Sequence, residues 1–110
     1  MVSEFVRVAG IGDIPPGMMK DVMLGDKAIL VANVGGKFYA VAGRCSHRQG
    51  ILANGTLEAS IVTCPRHGSK FDVTTGKNVG GPKVMGIRGS TGDIQAFEVK
   101  VEGSDVMVRL

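Results

Sequence analysis

The sequence predicts an all-β chain with a site-bearing insertion at roughly residues 43–83. Three observations carry that reading. Short runs rich in Val and Ile recur between turns, and the 110 residues include 17 Gly, a composition that favours tight turns over long helices. No segment keeps a helical apolar period over three turns. Beyond Gly43 the strand pattern gives way to turn residues, and both cysteines and both histidines of the chain fall in that stretch.

The elements follow in order. Residues 4–9 alternate as a strand, with Phe5 and Arg7 on one side and Val6 and Val8 on the other. Residues 13–17, Asp-Ile-Pro-Pro-Gly, interrupt it, because two prolines cannot sit inside a ladder. Residues 21–24 read as a weak strand. Residues 27–34 and 37–42 read as strong strands joined by Gly35-Gly36, a two-residue hairpin signature. Residues 44–53 carry turn residues and the first Cys/His pair, and 59–63 form a short apolar strand leading into Cys64. Extended structure resumes at 71–73, followed by a turn at 74–77 and a loop at 78–82. Residues 94–101 and 105–110 alternate around Glu102-Gly103-Ser104 as a closing hairpin. The strands flanking the insertion pair with each other as an antiparallel base. The whole of 1–110 reads as a single domain, with no repeat, linker or low-complexity tract.

Several functions are excluded by composition. The longest apolar stretch, residues 28–32, is far too short to cross a bilayer, and the first residues lack the regions of a signal peptide, so no membrane partner and a cytoplasmic location are expected. The net charge of +3 comes without a Lys/Arg run or an aromatic-basic stripe, which argues against nucleic-acid binding. Asp21, Asp26 and Glu58 form no paired-carboxylate arrangement, and no Ser-His-Asp or Cys-nucleophile constellation is available. The chain therefore reads as a non-enzyme, and nothing in it demands more than a monomer.

The chemistry lies in one pattern: Cys45-Ser46-His47, sixteen residues, then Cys64-Pro65-Arg66-His67. No Cys or His remains elsewhere. Two thiolates and two imidazoles suit either a tetrahedral Zn2+ or a [2Fe–2S] cluster with two His on one iron. A disulfide is the weaker use of the cysteines, since no export signal accompanies them and each has a His in ligand register. The short spacing within each pair lets one loop present two ligands, and the fold sets the distance between loops.

The residues around the ligands carry a family resemblance. Cys45-Ser-His47, Gly50, Cys64-Pro-Arg-His67-Gly68-Ser69-x-Phe71-Asp72 and Gly80-Gly81-Pro82 resemble a Rieske iron–sulfur domain, as does the strand pair Ile29-Leu-Val31 and Gly36-Lys-Phe-Tyr-Ala-Val41. The resemblance implies a Rieske-like antiparallel β-sandwich or barrel base with the cluster-binding subdomain inserted at 43–83. It implies one [2Fe-2S] cluster, with Cys45 and Cys64 on the inner iron and His47 and His67 on the outer. Ser69 matches a serine whose hydroxyl donates to a bridging sulfide in the high-potential branch, whereas Phe71 stands where that branch has a tyrosine. Gly50 and Arg66 occupy the positions of that branch's extra disulfide cysteines, and its membrane anchor has no counterpart. The chain is thus similar to the soluble, single-domain, low-potential ferredoxins. That similarity implies a soluble one-electron carrier between a flavin-dependent reductase and a terminal oxygenase or other redox acceptor. Two other readings stay open from sequence. One is a fixed electron-transfer subunit of a larger oxidoreductase, such as a nitrite-reductase-like small subunit. The other is a redox-inactive, Zn-stabilised binding module. Arg44, Arg48 and Arg66 flank the ligands and suggest a docking ring for an acidic partner.

Overall fold

The computed structural model describes residues 5–44, 51–65, 68–80, 83–84, 87–88 and 92–109. Strands dominate it: β1 (Phe5–Gly10), β2 (Met19–Leu24), β3 (Lys27–Val34), β4 (Lys37–Ala42), β5 (Thr56–Glu58), β6 (Ile61–Thr63), β7 (Lys70–Asp72), β8 (Asn78–Gly80), β9 (Lys83–Val84), β10 (Ile87–Arg88), β11 (Ala96–Glu102) and β12 (Asp105–Arg109). Among the described residues the only helical element is a single 3-10 turn, Leu52–Asn54.

The strands outside the insertion form a six-stranded antiparallel sheet in the order β1-β12-β11-β4-β3-β2. The strands flanking the insertion do pair, through Ala96 opposite Val41 and Phe97 opposite Ala40. Gly35 and Gly36, both left-handed, make the expected two-residue turn between Val34 and Lys37. The closing hairpin is also as expected, with Glu102 opposite Asp105.

Four details depart from the sequence reading. The alternation assigned to residues 4–9 breaks at a bulge: Arg7 faces Met107 but Ala9 faces Val106, so Val8 is the extra residue. Val8 and Ala9 are consequently both buried while Val6 stays exposed. The strand placed at 59–63 is instead a hairpin, with Ala59-Ser60 turning between β5 and β6 and Ala59 at φ 53. Residues 78–80, read as loop, form β8 because their backbone completes the ladder of β7. The small β9–β10 hairpin had no apolar alternation to announce it.

β5 to β8 form a four-stranded sheet in sequence order, and this sheet is the body of the insertion. It shares its core with the base. One buried cluster joins Leu30, Ala32 and Val41 of the base to Leu52, Val62, Cys64, Phe71 and Val73 of the insertion, with Ile94 alongside. A second cluster lies within the base and takes Ile29, Val31 and Ala40 together with Val8, Ile14, Val106 and Val108. Alternation along β3 explains the split: Leu30 and Ala32 go to one cluster, Ile29 and Val31 to the other, which is why β3 reads as a continuous apolar run.

Candidate metal centre

β6 delivers Cys64 to the end of the β6–β7 hairpin, where the residue is 3% exposed. Thr63 faces Lys70 in the ladder, so the next pair outward is Cys64 and Ser69. The Cys64 N–H donates to the Ser69 carbonyl at 2.7 Å, and the Gly68 N–H donates back to the Cys64 carbonyl at 3.1 Å. The two bonds tie Cys64 to Gly68 and Ser69 at the start of the returning strand. Gly68 has φ 78, a left-handed conformation that a Cβ disfavours.

The Ser69 side chain is fully buried, and among the described residues its hydroxyl oxygen has no hydrogen-bond partner. A buried hydroxyl without a partner costs about 1–3 kcal/mol, so such an atom calls for an acceptor at that spot. Phe71, two residues on, is fully buried and packs in the same cluster as Cys64.

The first loop is closed differently. Arg44 bridges Ile51 across the ends of residues 45–50. Beside that bridge, the Leu52 N–H donates to the Gly43 carbonyl at 3.2 Å. Leu52 then buries itself in the cluster that contains Cys64. Gly55, just after the 3-10 turn, lies so close to β6 that a Cβ there would fall 1.8 Å from the Thr63 carbonyl oxygen and 3.2 Å from Pro65 Cδ. The exit of the first loop and the entry of the second are therefore packed together.

Of the site residues named from sequence, Cys64 and Ser69 are brought side by side. Cys45, His47 and His67 lie outside the described residues, as do Gly50, Arg48 and Arg66. Arg44 does not fit the docking ring: its guanidinium is engaged by Asp21 at 2.8 Å, with both side chains about a quarter exposed. The sequence reading missed this pair, which joins residues 23 apart with no motif between them, and it missed the close approach at Gly55.

The described part of the site fits an iron–sulfur group. A thiol-bearing residue sits buried just after β6, and beside it a buried hydroxyl waits for an acceptor. The donor set of the chain, two Cys and two His, is one that such a group accepts.

The fold thus defines a small all-β chain that brings Cys64 and Ser69 together where β6 meets β7. The Rieske [2Fe-2S] domain family matches residues 4–98. The ferredoxin component of biphenyl 2,3-dioxygenase from Rhodococcus jostii is 40% identical over 104 residues, 94% of this chain and 91% of that protein. A chain in the solved complex of reduced oxygenase and oxidized ferredoxin in carbazole 1,9a-dioxygenase superposes with a TM-score of 0.85 at 31% identity, covering 98% of this chain and 94% of that one. The ferredoxin of carbazole 1,9a-dioxygenase from Nocardioides aromaticivorans gives a TM-score of 0.83 at 29% identity, covering 96% and 97%. The chain belongs to the Rieske [2Fe-2S] domain family, and its cofactor is a [2Fe-2S] cluster.

Proposed function

We propose that this chain is a one-electron carrier that takes electrons from a flavin-dependent reductase and passes them to the terminal oxygenase of an aromatic-ring dioxygenase system. The observation that carries the reading is the buried Ser69 hydroxyl beside Cys64, without a partner among the described residues, in a chain similar over nearly its full length to a dioxygenase ferredoxin component. The chain does not catalyse ring oxidation itself; its relatives are carrier components of such systems. The solved complex of oxygenase with ferredoxin supports an oxygenase as the acceptor.

Cys45 and Cys64 would hold one iron and His47 and His67 the other, with the chain acting as one domain whose cluster-binding part spans about 43–83. When bound, the cluster supplies a site that gains and loses a single electron, at a potential raised by neutral imidazoles in place of thiolates. The chain's own residues set the conditions around it. Ser69 would offer its buried hydroxyl proton to a sulfur of the cluster, which would favour the more negative, reduced state. Leu52, Val62 and Phe71, all fully buried, keep water from the Cys64 side. Thiolate ligation suits a reducing compartment, and no described helix is long and apolar enough to cross a membrane, so the cytoplasm is the location we assign.

The test is anaerobic purification with metal and sulfide analysis, then visible and low-temperature EPR spectra before and after dithionite. Two irons and two sulfides per chain, with a rhombic signal whose low average g marks mixed His and Cys ligation, are expected. The reduced protein should then hand its electron to the oxidised oxygenase of the biphenyl system in a stopped-flow mix. Zinc without iron would refute the carrier, and an all-Cys EPR signal would refute the ligand set.

A further inference from the structure

Gly43, the last residue before Arg44, is a crossing point of three hydrogen bonds. Its N–H donates to the Ala28 carbonyl of β3 at 2.9 Å, and its carbonyl accepts from both the Leu52 N–H at 3.2 Å and Arg44 Nη1 at 3.1 Å. The Arg44 guanidinium continues to β2. Nη1 donates to Asp21 Oδ1 at 2.8 Å, Nη2 reaches Oδ2 at 3.5 Å, and Nη2 lies 3.8 Å from the Met23 sulfur. A Cβ on Gly43 would lie 2.9 Å from Asp21 Oδ1 and 3.2 Å from the backbone carbons of Ala28 and Ile29, so the missing side chain is what lets the carboxylate in.

β2 is an edge strand of the base sheet, and Asp21 is its contribution to the insertion. We propose that Asp21, acting through Arg44, is a positioning residue that latches the base of the first loop, residues 45–50, to the sheet. The proposal rests on reading Cys45 and His47 in that loop as cluster ligands. The Arg44–Ile51 bridge, with its Leu52-to-Gly43 hydrogen bond, holds the two ends of the segment together, and the Arg44–Asp21 pair ties Arg44 to β2. The 3-10 turn after Ile51 also packs against β2, so the pair is the polar part of that attachment. With about three quarters of each side chain shielded from water, the pair keeps more of its strength than a surface pair would. Removing the carboxylate leaves the guanidinium without its anion next to the loop and frees Arg44 to leave the Gly43 carbonyl. Opening of the loop base then becomes easier without loss of either apolar core.

The experiment compares wild type with Asp21→Asn as cluster-loaded proteins. Two quantities are read: the rate at which an iron chelator bleaches the visible absorbance, and amide hydrogen exchange at Leu52. Both should speed up by roughly tenfold, while amides of the β3–β4 ladder stay within about twofold of wild type. Unchanged Leu52 exchange and bleaching would overturn the latch, and so would a speed-up shared equally by the ladder amides, which would mark a loss of global stability. If Asp21→Asn does not accumulate folded, Arg44→Lys serves, since it keeps the charge and loses only the fork that reaches both Asp21 oxygens and Gly43. The same changes in the same direction support the latch and their absence refutes it. A wild-type chain that binds no cluster would refute the ligand reading alone, and Leu52 exchange in that protein would still decide whether Asp21 latches the loop base.

Discussion

Replacing Gly55 by alanine adds one methyl group where the two loops meet, and the structure fixes what it would strike. The new carbon would lie 1.8 Å from the Thr63 carbonyl oxygen and 3.0 Å from its carbonyl carbon, with Pro65 Cδ at 3.2 Å. The first two are backbone atoms of β6, and rotating a side chain cannot remove them. Bringing the oxygen out to even 3.0 Å requires a relative backbone shift of about 1.2 Å, in a core packed too densely to absorb it freely. Thr63 is held on both sides, opposite Thr56 in β5 and Lys70 in β7, so the shift strains two ladders at once. Overpacking of this kind costs about 2–3 kcal/mol, or roughly 10 °C in Tm for a domain of this size. Because Cys64 follows Thr63 directly, the thermal melt followed at the cluster absorbance should move with the melt followed by far-UV circular dichroism. Gly12→Ala is the matched control, since a Cβ there meets nothing within 4 Å, and it should stay within about 0.5 kcal/mol of wild type. A Gly55→Ala protein as stable as the Gly12→Ala control would refute the close approach of the loops.

Three further outcomes follow from the site. Ser69→Ala removes a buried hydroxyl that has no partner among the described residues, so it should lower the midpoint potential by on the order of 40 mV, equivalent to about 1 kcal/mol for one electron. Protein-film voltammetry reads this directly, and a raised or unmoved midpoint would remove the hydroxyl from the cluster's surroundings. Phe71→Tyr places a hydroxyl inside the cluster of side chains that includes Cys64, and if it reaches a sulfur the midpoint should rise; an unchanged or lower value undoes that account. Imidazoles bound to oxidised iron release their distal proton more readily than those on reduced iron, so the midpoint should fall with rising pH on the alkaline side, and a flat profile there would count against His47 and His67 as ligands.

What was legible in the sequence followed from local chemistry. The β3–β4 hairpin could be read because two glycines stand where both turn residues must be left-handed, and because β3 carries an apolar run over residues 28–32. The ligand pattern could be read because the chain's only two Cys and two His fall into two close Cys/His pairs. What escaped depends on contacts between distant segments. The bulge at Val8 looks in sequence like uninterrupted alternation, since nothing in Val-Arg-Val marks an extra residue. Ala59 gives no turn signal, yet the pairing of Glu58 with Ile61 forces it to φ 53. β8 was hidden because Asn78-Val-Gly80 carries turn residues, and it becomes a strand only through its partner β7. Asp21 could be excluded from a catalytic carboxylate pair but not assigned to Arg44, because a pairing across 23 positions leaves no trace in either neighbourhood.

The two loops are held by different physics, and this decides how the site fails. The second is a ladder extension: Cys64 and Ser69 exchange a main-chain hydrogen bond, and Val62, Phe71 and Val73 around them are buried in a core shared with the base. Opening it exposes side chains worth about 1.5–3 kcal/mol each, a cost close to that of unfolding the domain. The first loop has Leu52 in that same core, but its remaining polar closure is the Arg44–Ile51 bridge, with its one hydrogen bond of 3.2 Å, and the Arg44–Asp21 pair. Polar contacts of this kind can be exchanged for water at modest cost, whereas apolar burial cannot. Local opening below the global free energy therefore has its easiest route at the polar tie between Arg44 and Asp21. A truncation such as Val62→Ala would weaken the whole fold and blur that distinction, whereas Asp21→Asn acts on the polar closure alone.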